Sequence, residues 1–336
     1  MKGRGLLISL SIVGGIILAC AILPLGAFAL LLVAGSTADT ATGPMPERSW
    51  REQVVSGNMF ASEGNRVLVL NVNGVIGAPD AGVLGNALSH SELLSQIDQA
   101  TDDQQIAAVV VRVNSPGGGV VASSELHKAL VELRESGKRV VISMGSTAAS
   151  GGYYIATAGD QIYANADTLT GSLGVIISLL NYGEAFENLG LRQLVFKSGE
   201  FKDIGLPTRE LTPEERDILQ SIVDQAYEGF VDVIVEGRNL PRERVLEVAD
   251  GRIYTGEQAL ELGLVDELGG EDQAIAAAKE LAALDEDALV VRYNQNLSFQ
   301  DLLLSSLEQS QRPPDPLGLR TLTEPQEPRL EYRMVP

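Results

Sequence analysis

Residues 106–144 read IAAVVVRVNSPGGGVVASSELHKALVELRESGKRVVISM, and the order of patterns within this stretch decides the fold. Ile106 to Val113 is a run of β-branched and small apolar residues, the pattern of a buried strand. Val120 to Ser136 has apolar residues at helical spacing, and Gly137 is placed to stop the helix. Arg139 to Met144 is again of strand type. A strand, a helix and a second strand in this order predict parallel neighbours in an α/β sheet. Working outward, Val67 to Val72 adds an earlier strand, and Ser89 to Ala100 has a helical pattern. Downstream, Thr212-Pro213-Glu214-Glu215 is a helix start, with Thr as N-cap, Pro in the first turn and carboxylates facing the free N–H groups. That helix is expected to run to about Gly237. Shorter helices are expected at 242–248, 255–262 and 271–284. Folding proper is expected to begin near Arg66.

The chain has 336 residues and a formal net charge of −20. It carries no cluster of Lys and Arg of the kind a phosphate backbone requires, so nucleic acid is not an expected partner. Its one cysteine, Cys20, lies inside an apolar run, which excludes an internal disulfide. His90 and His127 are the only histidines, and no metal-ligand spacing occurs, so neither a metal nor another cofactor is expected. Leu6 to Ala34 is apolar and uncharged. As a helix it would reach about 44 Å, more than the roughly 30 Å of a hydrocarbon core. Lys2 and Arg4 precede it, which places the short N-terminus in the cytoplasm and the rest of the chain outside it. Its length favours a retained anchor over a cleavable signal peptide. The expected organisation is therefore a cytoplasmic stub and anchor at 1–35, a tether at 36–64, a folded domain at 65–310 and a mobile Pro-rich tail at 311–336. The position and Pro content of that tail would let it enter a neighbour's active site and be trimmed there.

Two turns could carry chemistry. Asn114-Ser115-Pro116-Gly117-Gly118-Gly119 joins a strand to a helix. Its glycines permit close backbone approach, and their N–H groups could hold a developing oxyanion; a tight turn with no ligand is the plain alternative. Ala148-Ala149-Ser150-Gly151-Gly152-Tyr153-Tyr154 sets a serine among small residues that leave room for a substrate carbonyl; a helix N-cap serine is the plain alternative. A serine nucleophile needs a base. Neither histidine has a recognisable carboxylate placement for a triad. An ordinary lysine is neutral only about once in 2,500 molecules at pH 7, but burial in apolar surroundings makes such an amine usable. Lys197 and Lys202 are the downstream candidates, and residue chemistry alone does not choose between them.

Taken together, Asn-Ser-Pro-Gly-Gly-Gly at 114–119, Ala-Ala-Ser-Gly-Gly-Tyr-Tyr at 148–154, Thr-Gly-Ser-Leu-Gly-Val at 170–175 and Lys-Ser-Gly-Glu-Phe-Lys-Asp-Ile-Gly at 197–205 resemble the signal peptide peptidase A family. These are bacterial membrane-bound serine proteases. The likeness runs from about Arg66 to Lys279. It implies an α/β, Clp-protease/crotonase-like fold with a mostly parallel sheet, preceded by one N-terminal transmembrane helix. It implies a Ser/Lys dyad in which Ser150 is the nucleophile and Lys202, not Lys197, the general base. Gly117 and Gly118 then match oxyanion-hole donors, and Ser172 matches a hydroxyl that orients the lysine. The resemblance further implies a homo-oligomer with active sites at subunit interfaces. The implied substrates are peptides with an apolar segment, remnant signal peptides at the lipid bilayer of the bacterial cytoplasmic membrane. A crotonase-type acyl-CoA enzyme and a non-catalytic membrane-tethered scaffold are the competing readings.

Overall fold

The computed structural model describes residues 50–77, 89–294 and 330–334. In chain order the first half contains β1 (Arg51–Ser56), β2 (Arg66–Asn73), α1 (His90–Asp102), β3 (Ile106–Ser115), β4 (Gly117–Gly119), α2 (Val120–Glu135), β5 (Arg139–Ala149), α3 (Gly151–Ala156), β6 (Gln161–Ala164), β7 (Leu169–Gly171) and β8 (Ile176–Ile177). There follow α4 (Gly183–Asn188), α5 (Pro213–Arg238), α6 (Arg242–Val248), β9 (Ile253–Thr255), α7 (Gly256–Glu261), β10 (Glu267–Leu268), α8 (Glu271–Leu281), β11 (Leu289–Asn294) and β12 (Leu330–Arg333).

The main sheet has the order β1-β11-β2-β3-β5-β6-β10, with β7 paired to the far end of β5 and β9 to β7. The pairs β11–β2, β2–β3, β3–β5, β5–β6, β5–β7 and β6–β10 are parallel; β1–β11 and β7–β9 are antiparallel. This is an α/β fold with a mostly parallel sheet, as the strand–helix–strand pattern predicts. Both faces of the central strands are covered, which is why β2 and β3 read as continuous apolar runs rather than alternating ones. Leu68, Leu70, Val109, Val111 and Val113 face a large core shared with α1, α2, α3 and α5. Val67, Val69, Ala108 and Val110 face a smaller one closed by Ala274 and Ala278 of α8.

Two segments differ from expectation. The stretch read as a tether contains β1, which the expected start of folding at Arg66 leaves out. All six residues of β1 are exposed, so it is held by its backbone ladder to β11 and carries no burial pattern to be read. Just before it, Trp50 is buried. Its indole donates to Ser95 Oγ at 3.1 Å, and its main chain exchanges hydrogen bonds with the Gln99 amide. The stretch read as a mobile tail contains β12, which lies between β4 and β8 in a separate three-stranded sheet. Four residues paired through main-chain groups leave little trace in composition. The expected transmembrane helix falls outside the described residues. Among the described residues no helix is long and apolar enough to cross a membrane.

Candidate active site

The parallel sheet delivers the site at its strand ends. β5 extends beyond the expected Met144 to Ala149, where it pairs with β7, and Ser150 follows at once. Ser150 has φ 53° and ψ −116°, a conformation that few non-glycine residues adopt and that is held only where the surroundings enforce it. Here its N–H donates to Gly171 O at 2.8 Å, and its carbonyl accepts the Tyr154 N–H at 2.8 Å. The side chain is 1 % exposed, yet Oγ has no hydrogen-bond partner, and it makes no capping bond to α3. The helix-cap alternative for this serine therefore fails: the hydroxyl is aimed elsewhere.

The glycine turn lies against it. Gly117 has φ +100°, and a side chain there would meet Tyr332 O at 2.0 Å and Gly151 N at 2.7 Å, so only glycine fits. Its own N–H, expected to serve the oxyanion, instead donates to Ser115 Oγ at 3.1 Å. Gly118 is placed differently. Ile76 N–H takes Gly117 O, and Gly119 N–H gives to Ile76 O, both at 2.9 Å. Peptide alternation then turns the Gly118 N–H and C=O to the opposite side, where Tyr332 is its register partner. Gly151, the residue after the serine, is close by: its N lies 2.7 Å from where a Cβ on Gly117 would stand. Ser172 follows Gly171, whose carbonyl holds the Ser150 main chain, and so lies beside the serine. It has φ 52°, and its N–H donates to Arg252 O at 2.7 Å.

β12 occupies the cleft as a peptide would. It runs antiparallel to both β4 and β8, and the Met334 N–H donates to Pro116 O at 2.8 Å. The Tyr332 ring is buried, stacked on Tyr154 with centroids 5.0 Å apart and tilted against Phe230 at 4.6 Å. Its hydroxyl donates to Ala226 O at 3.0 Å. Behind Tyr154, His127 packs edge-on at 5.2 Å. Burial, aided by Arg134, pulls the His127 imidazole down to about 4. His90 is joined to Glu125 at 2.6 Å. Neither imidazole hydrogen-bonds the Ser150 hydroxyl. Ser172, Tyr227, Asp224 and Met334 line an adjoining cavity of about 590 Å³.

The two lysine candidates separate clearly. Lys197 Nζ is taken by Asp203 Oδ1 and Glu200 O, both at 2.7 Å. Arg209 also binds Asp203, and it grips the buried Glu215 at 2.5 and 2.8 Å. Hydrogen bonds from Arg209, then from Lys197, hold the Asp203 carboxyl down at about 2. Glu215 is likewise held at about 2 by Arg209 and then by the Thr212 N–H. Lys202 is exposed, and its amine has no ion pair or hydrogen bond among the described residues. Within one chain no hydrogen bond joins Lys202 to Ser150, whose Oγ is unpartnered among the described residues.

The model of peptidase family S49 matches residues 132–285. A putative signal peptide peptidase SppA of Enterococcus faecium is 38 % identical over 237 residues, 70 % of this chain and 69 % of that protein. The chain belongs to peptidase family S49. A putative protease of Synechocystis is 49 % identical over 189 residues, 56 % of this chain and 68 % of the other. Protease 4 of Salmonella typhi is 35 % identical over 254 residues, 75 % of this chain but 40 % of that protein. Among solved structures, the ClpP1 N165D mutant from Listeria monocytogenes aligns at 15 % identity with a TM-score of 0.40, over 62 % of this chain and 94 % of the other. This S49 chain is a serine peptidase, so the acyl-CoA and scaffold readings fall away. The S49 match spans Ser150, Ser172 and both lysines; the glycine turn lies before it.

Proposed function

We propose that the chain is a Ser/Lys endopeptidase that cleaves peptides bearing an apolar segment, remnant signal peptides foremost, with each active site completed by a second copy. The observation that carries this is the Ser150 hydroxyl, buried and unpartnered beside a bound peptide strand. Oγ attacks the carbonyl at the position of Tyr332 while a lysine amine takes its proton. The oxyanion forms against the N–H groups of Gly118 and Gly151, with Gly117 supplying the turn rather than the donor; one such donor is worth about 3 kcal/mol. The resulting ammonium protonates the leaving amine, and water hydrolyses the acyl-enzyme. Ser172 is the hydroxyl that orients the lysine.

Lys202 of a neighbouring copy is the base. Lys197 is committed to Asp203, whereas Lys202 has no hydrogen-bond or ion-pair partner among the described residues. The segment around Lys202 exposes Leu189, Leu191, Leu194, Phe196 and Phe201, with Phe196 at 97 %. Covering these side chains with a second subunit removes apolar area from water and creates the surroundings in which a lysine works as a base. An anchor at 1–35 in the bacterial cytoplasmic membrane, with the catalytic domain on the extracytoplasmic side, brings the site to such substrates. The names of the relatives support this substrate class. The test is labelling of the full chain by a serine-reactive acylating probe. Wild type acylates; Ser150→Ala and Lys202→Ala do not. Equal labelling of all three removes the proposal.

A further inference from the structure

Beside Ser150 there is a second buried hydroxyl without a partner, that of Ser123. On α2 the residues Ser123, Leu126, Leu130 and Leu133 form the stripe that faces the core. An apolar residue belongs at the first of these positions by the logic that fills the others. Ser123 is 0 % exposed, so its unpaired hydroxyl costs stability with no return in the resting fold.

Its place supplies the return. The point where a Cβ on Gly151 would stand is 2.6 Å from Ser123 Oγ, 3.1 Å from Gly118 N and 3.1 Å from Tyr332 O. An orphan donor, an amide aimed at the cleft and the carbonyl oxygen of the bound strand thus converge on one spot. Gly151 leaves that spot clear, because any side chain there would strike the Ser123 oxygen.

We infer that Ser123 is a third oxyanion donor, whose hydroxyl moves across Gly151 to the carbonyl oxygen as negative charge forms on it. The bond is absent from the bound strand in this structure and is made only in the tetrahedral state. Such an interaction lowers the barrier without tightening ground-state binding. No covalent bond or proton changes hands at Ser123. This inference rests on Ser150 being the nucleophile.

The experiment uses the full chain in detergent micelles and the substrate Leu-Glu-Tyr coumarin amide, which copies residues 330–332. Wild type, Ser123→Ala, Ser123→Cys and Ser150→Ala are compared side by side. Ser123→Ala is expected to lower kcat about tenfold or more with KM unchanged. It should weaken binding of Leu-Glu-Tyr aldehyde, which forms a tetrahedral adduct, by a similar factor. Affinity for the Leu-Glu-Tyr acid product should not change. Tm should be equal or higher, because an unsatisfied hydroxyl has been removed from a helix. Ser123→Cys, which is somewhat larger and donates weakly, should lose turnover like Ala. Wild-type turnover in Ser123→Ala, beside an inert Ser150→Ala, overturns this inference and leaves the nucleophile assignment standing. A slow Ser123→Ala with lowered Tm and equally weakened product binding assigns Ser123 to packing and also overturns it. Turnover by Ser150→Ala overturns the nucleophile assignment, and this inference with it.

Discussion

The serine half and the lysine half of the proposed dyad are built in opposite ways. Ser150 ends a core strand, is buried, and is locked by main-chain hydrogen bonds to Gly171 and Tyr154. Lys202 lies on an exposed segment between α4 and α5 that holds little core of its own. That segment is instead braced by charge, through Lys197, Asp203, Arg209 and Glu215. The difference teaches where each half finds its rigidity. The proposed nucleophile is preorganised by the fold of one chain, whereas the proposed base is presented outward, beside apolar side chains that the other described residues leave exposed.

The largest effects should come from the two residues themselves. Ser150→Ala should lower peptide turnover by about 10⁴-fold or more. Lys202→Ala should lower it by roughly 10²–10⁴-fold, the range for a general base. Neither variant should melt below wild type in a thermal scan, since one removes an unpartnered buried hydroxyl and the other an exposed amine. A smaller loss is expected from Arg209→Ala, which leaves the buried Glu215 without its guanidinium. Its turnover should fall several-fold and its Tm by a few degrees, while labelling geometry at Ser150 is kept. Lys197→Ala should cost at most a few-fold in turnover. A Lys197→Ala enzyme as dead as Lys202→Ala would break the distinction drawn between the two lysines.

The bound strand offers another way to sharpen the contrast. Attack at the Tyr332 carbonyl, opposite Gly118 in the ladder, would cut Tyr332–Arg333. Intact-mass spectrometry should find wild type ending at Tyr332 in part of the population and Ser150→Ala ending at Pro336. The smallest effect concerns pH. The His127 imidazole sits near 4 in the fold against about 6.5 in an unfolded chain, so between these values the unfolded state binds more protons. Stability should therefore be complete above about pH 6.5 and decline as pH falls toward 4. His127→Gln should flatten that decline in Tm measured against pH.

Much of the serine half was legible in the chain. The runs at 67–72, 106–113 and 139–144 mark the central strands, and the 114–119 and 148–154 turns mark where their ends carry chemistry. At Gly117 the N–H bonds a side-chain acceptor, Ser115, and spacing does not display such a contact. The proposed donor at Gly151 shows no residue-type signal for the same reason, since a main-chain N–H marks itself only by a small side chain. β1 and β12 escaped because both are paired through the backbone, one wholly exposed and the other far along the chain. In the chain, only resemblance favours Lys202 over Lys197; the bond from Lys197 to Asp203 is a contact that spacing does not display.

The central claim is that Ser150 of one copy works with Lys202 of another. Mixing inactive Ser150→Ala with inactive Lys202→Ala, under conditions that let subunits exchange, tests it directly. In the mixture, some interfaces pair an intact Ser150 with an intact Lys202, so turnover of Leu-Glu-Tyr coumarin amide should reappear at up to about a quarter of the wild-type rate per chain. A mixture that stays inactive after exchange has been verified would contradict the account, since a dyad formed within one chain cannot be rebuilt from these two variants.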